Sequence, residues 1–225
     1  MNPSTRRLAC GRCLRAACVC DCLARPGVPV AGPVSLLILQ HPREQREPKG
    51  TARLLHLALA GSQLLVGEDW PAAPPDPVAA PGRPAGQRPH DLLLYPATPG
   101  DPALPEPPPL DPAWLARPEA LRLVVIDGTW RKSRLMLYRS PWLQGLPRFS
   151  LDAPPPSRYA VRRARGVGQR STFEATVLAL QALSHEPGPL DALWPVFDGF
   201  VAALQKEVSH QGTTIAPAPA PLPAL

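Results

Sequence analysis

No apolar run in the sequence approaches the roughly 20 residues needed to cross a bilayer, so no membrane-spanning helix is expected. The first residues, MNPSTRRLACGRC, carry basic side chains but no apolar stretch behind them, which argues against a secretory leader. The glycine pattern of a phosphate-binding P-loop is absent. Cysteine is missing from residue 23 onward, because all 5 cysteines lie between Cys10 and Cys22. A cytoplasmic setting is expected, where clustered cysteines read as metal ligands or redox groups before disulfides. Acidic residues are in deficit, 18 against 24 Lys and Arg, leaving a formal charge of +6. That balance favours a polyanionic partner such as nucleic acid. Proline is abundant, at 34 of 225 residues. Residues 71–90 and 97–112 are rich in Pro, Ala and Gly and are expected to be loop or linker. The length suits one domain, or one domain with a small attachment.

Cys10-x-x-Cys13 has the spacing by which one tight turn presents two thiolates to a metal ion, and a second close pair completes a tetrahedral set. That pair is Cys20 with Cys22, or Cys18 with either; Cys10, Cys13, Cys20 and Cys22 are the expected ligands. A zinc ion closed by four thiolates is structural, and its binding free energy folds a segment too short to fold unaided. A redox pair and an iron–sulfur cluster are the alternatives.

The centre of the chain is Leu121 to Tyr138. Its apolar run Leu123-Val124-Val125-Ile126 suits a strand buried on both faces of a parallel sheet. Asp127-Gly128-Thr129-Trp130 follows at the strand's carboxyl end, where open α/β sheets bind ligands. The plainer reading is a strand–turn–helix with Asp127 or Thr129 as cap and Trp130 as core. Val34 to Leu39 is a second buried strand, running into Gln40-His41-Pro42. Thr51 caps an expected helix over 51–60, with Gly61 as its stop, and its first amides with Lys49 and Arg53 form a candidate anion site. Residues 63–67, 90–96 and 147–152 are further strand candidates, and 111–121 is a short helix. Strands alternating with helices predict an α/β fold with a mostly parallel sheet and helices on both faces.

After Asp152 comes a basic loop with Arg158, Arg162, Arg163, Arg165, Arg170 and one ring, Tyr159, a candidate RNA contact because arginine pairs with phosphate and stacks on bases. Ser171-x-x-Glu174 is a capping box ahead of a helix over 175–184, which already explains both residues structurally. Apolar residues from Leu190 to Leu204 recur at helical spacing and predict a final amphipathic helix. Residues 211–225 are expected to be a disordered tail. The expected units are 1–29, cysteine-rich, 30–210, the main domain with its Pro-rich insertion at about 71–112, and the tail.

Taken together, Cys-x-Arg-Cys with a later Cys-x-Cys, His41-Pro42-x-Glu44, Thr51-x-Arg53, Tyr95-Pro96, Asp127-Gly128-Thr129-Trp130, Ser157-Arg158-Tyr159-x-x-Arg162 and Thr172-x-Glu174 resemble the DTW-domain family of tRNA-uridine aminocarboxypropyltransferases. The pieces occur in the family's order and cover nearly the whole chain. Cys18 and the stretch 71–112 depart from the family pattern.

The resemblance implies a SPOUT-like fold with a C-terminal knot, and transfer of the 3-amino-3-carboxypropyl group of S-adenosylmethionine to N3 of a uridine in tRNA, releasing methylthioadenosine. It implies a catalytic carboxylate, with Asp127 first and Glu174 second. The implied contacts to S-adenosylmethionine are Tyr95, Pro96, Asp127, Gly128, Thr129, Trp130, Leu151 and Thr172. The implied tRNA contacts are His41, Lys49, Arg53, Arg158, Tyr159, Arg162 and Arg163. No protein partner is evident. A SPOUT-type RNA methyltransferase and a non-catalytic zinc-containing RNA-binding protein are the competing classes.

Overall fold

The computed structural model describes residues 10–14, 27, 29–75, 82–84, 86–98, 100–159 and 170–212, with 207–212 as backbone alone. Strands β1 (Ser35–Gln40), β2 (Ser62–Val66), β3 (His90–Leu94), β4 (Leu121–Asp127) and β5 (Arg148–Phe149) form one sheet in the order β2-β1-β4-β3-β5. Every recorded pairing is parallel. The expected α/β architecture is therefore present, and β1 and β4, the two apolar runs, are its buried centre.

Side chains alternate across a strand, and each face of the sheet has its own core. On one, Leu36, Ile38, Leu92, Leu123 and Val125 pack with helices α1 (Ala52–Ala58), α5 (Thr172–Leu183) and α6 (Leu193–Gly212). On the other, Leu37, Leu39, Leu93, Val124 and Ile126 pack with α3 (Trp130–Arg139) and α4 (Pro141–Gln144). The short helix α2 (Pro112–Leu115), capped by Asp111, leads toward β4. Among the described residues no helix is long and apolar enough to cross a membrane.

Several elements differ from their sequence expectations. Helix α1 stops at Ala58 rather than 60, because the Ala58 carbonyl accepts from the Val30 amide (2.8 Å) and Leu59 turns extended. Gly61 then adopts φ +69°, the left-handed conformation glycine tolerates best. Thr51 is the N-cap residue of α1, its carbonyl accepting from the Leu55 amide at 3.1 Å, but its side chain makes no cap bond; its Oγ1 accepts instead from the Phe173 amide at the start of α5 (3.1 Å). Strand β5 holds two residues where six were expected. Beyond Ser150 the chain has a positive φ at Ala153 and three consecutive prolines, which offer the ladder no amide donor. The described part of the Pro-rich stretch has loop backbone, yet it is packed on the domain: Leu104 enters the second core, and Arg83 is buried with Nη1 3.4 Å from Ser35 Oγ.

Candidate active site

Strand register decides what meets at the carboxyl edge. Gln40 ends β1 directly opposite Asp127, which ends β4. Gln40 Nε2 donates to Asp127 Oδ2 at 2.9 Å, and Thr172 Oγ1, on the first turn of α5, donates to Oδ1 at 2.6 Å. The carboxylate is thus held by an amide and a hydroxyl while 6 % exposed. Gln40 Oε1 is buried and has no hydrogen-bond partner among the described residues. Gly128 follows in a tight place: a Cβ there would meet Lys132 Cβ at 3.2 Å and the Ser133 amide nitrogen at 3.4 Å. Thr129 is the N-cap of α3, accepting from the Lys132 amide, and Trp130 is the first helical residue. The cap expectation holds for Thr129; Trp130, read alternatively as core, is 54 % exposed.

These residues open onto a cavity of about 580 Å³ at the carboxyl ends of β3, β4 and β5. Its wall includes Tyr95, Pro96, Gly128, Thr129, Trp130, Leu151 and Thr172, so all but one of the residues expected to hold S-adenosylmethionine are together. The remaining one, Asp127, stands behind the wall and reaches it through Thr172. Tyr95 and Trp130 meet edge-on at 6.0 Å between centroids. Burial, partly offset by a hydrogen bond with Ser133, pushes the Tyr95 phenol above its usual range, so it remains protonated at neutral pH. Among the described residues Arg170 is the one charged side chain on the wall, with Nη2 donating to the Pro154 carbonyl at 3.0 Å and also to that of Pro155.

The DTW domain matches residues 7–205 of the sequence. The chain belongs to the DTW-domain family. Among curated relatives, it is 34% identical over 188 residues to the Drosophila melanogaster protein named tRNA-uridine aminocarboxypropyltransferase 2, covering 83% of this chain and 70% of the fly protein. It is 26% identical over 186 residues to the Macaca fascicularis protein of the same name, covering 81% and 59%. It is 26% identical over 140 residues to tRNA-uridine aminocarboxypropyltransferase A of Arabidopsis thaliana, covering 60% and 52%. No solved structure matches the chain.

In this DTW domain the second carboxylate has a different environment. Glu174 is 2 % exposed and is not on the cavity wall. Its carboxylate accepts from the Ser171 amide and hydroxyl, the Ser157 hydroxyl and the Arg158 amide, at 2.7–3.0 Å. The capping box is therefore present in full, and it also ties the basic loop to α5.

Of the residues expected to touch RNA, Tyr159 is core: 4 % exposed, it packs against Phe197 and Phe200, and its hydroxyl donates to the Lys49 carbonyl at 2.7 Å. It also contributes to the cavity wall. His41 is 7 % exposed; its Nδ1 accepts from the Arg43 amide, and its Nε2 lies 3.5 Å from Glu68. Arg158 is exposed, paired with Asp198 at 2.9 Å and lying over the Trp194 ring at 4.8 Å. Arg53 donates to the Arg12 carbonyl at 3.4 Å. The Thr51 hydroxyl serves Phe173 and leaves the first turn of α1, the expected anion site with Lys49 and Arg53, without a side-chain cap bond. Arg162 and Arg163, like Cys18, Cys20 and Cys22, lie outside the described residues. Cys10 and Cys13 are described, flanking a turn closed by the Leu14 amide on the Cys10 carbonyl at 2.8 Å. Among the described residues no group of three or more His, Cys, Asp or Glu could hold a metal.

Sequence reasoning placed Arg170 in the basic loop and missed it as a wall residue. Its position immediately before the capping box was the available signal, because that residue must stand at the mouth of the α5 first turn.

Proposed function

We propose that this protein transfers the 3-amino-3-carboxypropyl group of S-adenosylmethionine to N3 of a uridine in tRNA. The observation that carries the reading is the cavity itself, at the carboxyl edge of a parallel sheet and walled by Gly128, Thr129, Trp130 and Thr172, with Asp127 behind them. The printed names of the relatives support it. The size falls in the roughly 300–1,000 Å³ of small-molecule sites, and the donor set suits an amino acid joined to a nucleoside. Leu94, Phe149 and Leu151 offer an apolar slot for a purine, and Arg170 a cation for a carboxylate.

When bound, S-adenosylmethionine supplies an electrophilic carbon on its sulfonium and leaves as methylthioadenosine. The protein's task is orientation and proton removal. Thr172 Oγ1 gives its proton toward Asp127, so its lone pairs are left for the cavity. Thr172 accepts the uridine N3 proton as its own passes to Asp127 Oδ1, leaving the N3 electron pair to form the new C–N bond. Gln40 fixes the other oxygen of that carboxylate. Trp130 and Tyr95 hold the base and the cofactor against each other, and Arg170 with Thr129 orients the amino acid end. Glu174 supports the site through the loop it anchors.

The same reading assigns a structural zinc ion to Cys10, Cys13, Cys20 and Cys22, supported by the turn at Cys10–Cys13, and a SPOUT-like fold with a C-terminal knot to the main domain. It takes 1–29 as the zinc segment, 30–210 as the catalytic domain and 211–225 as a tail, in a cytoplasmic protein.

Nucleoside mass spectrometry tests the reaction. Purified protein, S-adenosylmethionine and unmodified tRNA transcripts should yield an aminocarboxypropyl-uridine together with methylthioadenosine. A methylated nucleoside instead would move the protein to the methyltransferase class. Metal analysis of a Cys10→Ser, Cys13→Ser protein should show loss of zinc; unchanged metal content would overturn the ligand assignment.

A further inference from the structure

Among the described residues four large apolar side chains remain exposed: Val66, Trp130, Leu135 and Tyr138. Three of them lie on α3. Residues four apart on a helix stand one above another, so two rows run along its outer surface. One is Trp130, Arg134, Tyr138; beside it is Arg131, Leu135, Arg139. All six are exposed, whereas Ser133, Met136 and Leu137 make the buried face. An apolar surface left in water on one helix marks a contact. The pattern within it, a ring or leucine beside a guanidinium along the whole length, is not that of an apolar protein–protein core, from which charge is depleted. It suits stacked bases and their phosphates.

Position agrees with composition. The first row begins in the cavity wall, where Trp130 meets Tyr95 at 6.0 Å. It ends at Tyr138, eight residues and therefore about 12 Å along the helix axis. Arg134, between the two rings in the row, is pinned by two bonds to Asp101, at 2.7 and 2.9 Å. Arg139 approaches Glu68 at 3.4 Å on the flank of the other row. The formal charge of the chain, +6, has the sign a polyanion requires.

We propose that this face of α3 docks the single-stranded segment of tRNA that carries the target uridine. Trp130 and Tyr138 stack on bases, and Arg131 with Arg139 meets the backbone phosphates. The proposal rests on the reading of the cavity as a tRNA-modifying site and adds the track by which the RNA reaches it.

The experiment uses the full chain with Tyr138→Ala, Tyr138→Phe and Arg131→Gln substitutions. Affinity for labelled tRNA is read by fluorescence anisotropy over a salt series, binding of S-adenosylmethionine by calorimetry, and association state by sedimentation. Tyr138→Ala should weaken tRNA binding about tenfold, as loss of one stacked base does, while Tyr138→Phe keeps it. Arg131→Gln should weaken binding and reduce the salt slope by about one. Cofactor affinity should be unchanged in all three, which shows that the fold is intact.

Wild-type tRNA affinity in both Tyr138→Ala and Arg131→Gln overturns the docking face, and leaves the proposed reaction standing if wild-type protein still forms product. A wild-type dimer that Tyr138→Ala dissociates, with tRNA affinity unaltered, assigns the face to a second copy and also overturns it. Wild-type protein that neither binds tRNA nor modifies it overturns both readings. Binding that depends on Tyr138 without product keeps the face and removes the reaction.

Discussion

Two aspartates stand at opposite edges of the same sheet. At the amino edge Asp91 of β3 faces Arg122 of β4 in register, and the guanidinium makes two bonds to the carboxylate, at 2.6 and 2.8 Å. At the carboxyl edge Asp127 is held by an amide and a hydroxyl, at 2.9 and 2.6 Å. The amino-edge pair cancels its charge internally and is closed off by loop, with Arg122 also near the Pro74 carbonyl at 3.4 Å. The carboxyl-edge group sits behind a hydroxyl that lines a cavity. Asp127 is joined to the cavity through the Thr172 hydroxyl, a geometry that suits proton transfer, whereas the Asp91–Arg122 pair is backed by loop and serves the fold. Buried charge alone does not mark a site; whether the group is connected to a cavity makes the distinction.

The largest effect should come from breaking the carboxyl-edge member. Asp127→Asn conserves shape and removes the charge, so turnover should fall about a hundredfold to ten-thousandfold, the range for a lost general base. Product formation at saturating tRNA and S-adenosylmethionine measures it, with melting temperature as control; wild-type turnover would erase the contrast. Asp91→Ala should do the converse. It leaves a guanidinium buried, with Arg122 4% exposed on its side chain, and should cost about 3–5 kcal/mol of stability in urea denaturation. Turnover per folded molecule should be retained.

A smaller effect sharpens the contrast within the site. Glu174→Gln removes the charge from a capping box that also anchors Ser157 and Arg158. About 1 kcal/mol or somewhat more should be lost, as for other N-terminal caps. Turnover should fall far less than in Asp127→Asn; an equal fall would return Glu174 to the base role. The smallest effect belongs to the amino edge. His56 on α1 lies 2.9 Å from Ser62, the first residue of β2, and burial, helped by Arg53, holds its pKa below the ordinary 6.5. The unfolded chain therefore takes up the proton first as pH falls. Stability is full above about pH 6.5 and is lost as pH drops through the lowered folded value. His56→Gln should flatten the urea midpoint between pH 7 and 5; an unchanged slope would remove His56 as its source.

What the sequence made legible was local. The apolar runs of β1 and β4, the turn from Asp127 to Trp130 and the Ser171–Glu174 box each carry their signal within a few residues, and each is present. The contacts that organise the site span the chain. Gln40 and Asp127 are 87 positions apart, and nothing in either stretch announces their register. Tyr159 reads as a ring in a basic loop; its burial depends on Phe197 and Phe200 in α6. Arg122 looks like an interruption in an apolar strand until Asp91 is set beside it. The outward face of α3 is told by exposure alone, since its rings and arginines are local but the side of the helix they share is set by the packing of Ser133, Met136 and Leu137.

The bond from the Phe173 amide to Thr51 joins positions 122 apart and has a consequence for the order of assembly. Helix α5 carries Thr172, yet its second amide is satisfied by a residue from the first quarter of the chain. The late half cannot complete its helix start until the β1–α1 unit is already in place, so the long loop must close before that bond forms. Hydrogen exchange at Phe173 should therefore be governed by large-scale opening rather than by fraying of its own helix. The early and late halves of the sequence are in this sense one cooperative unit, with Thr172 at the seam.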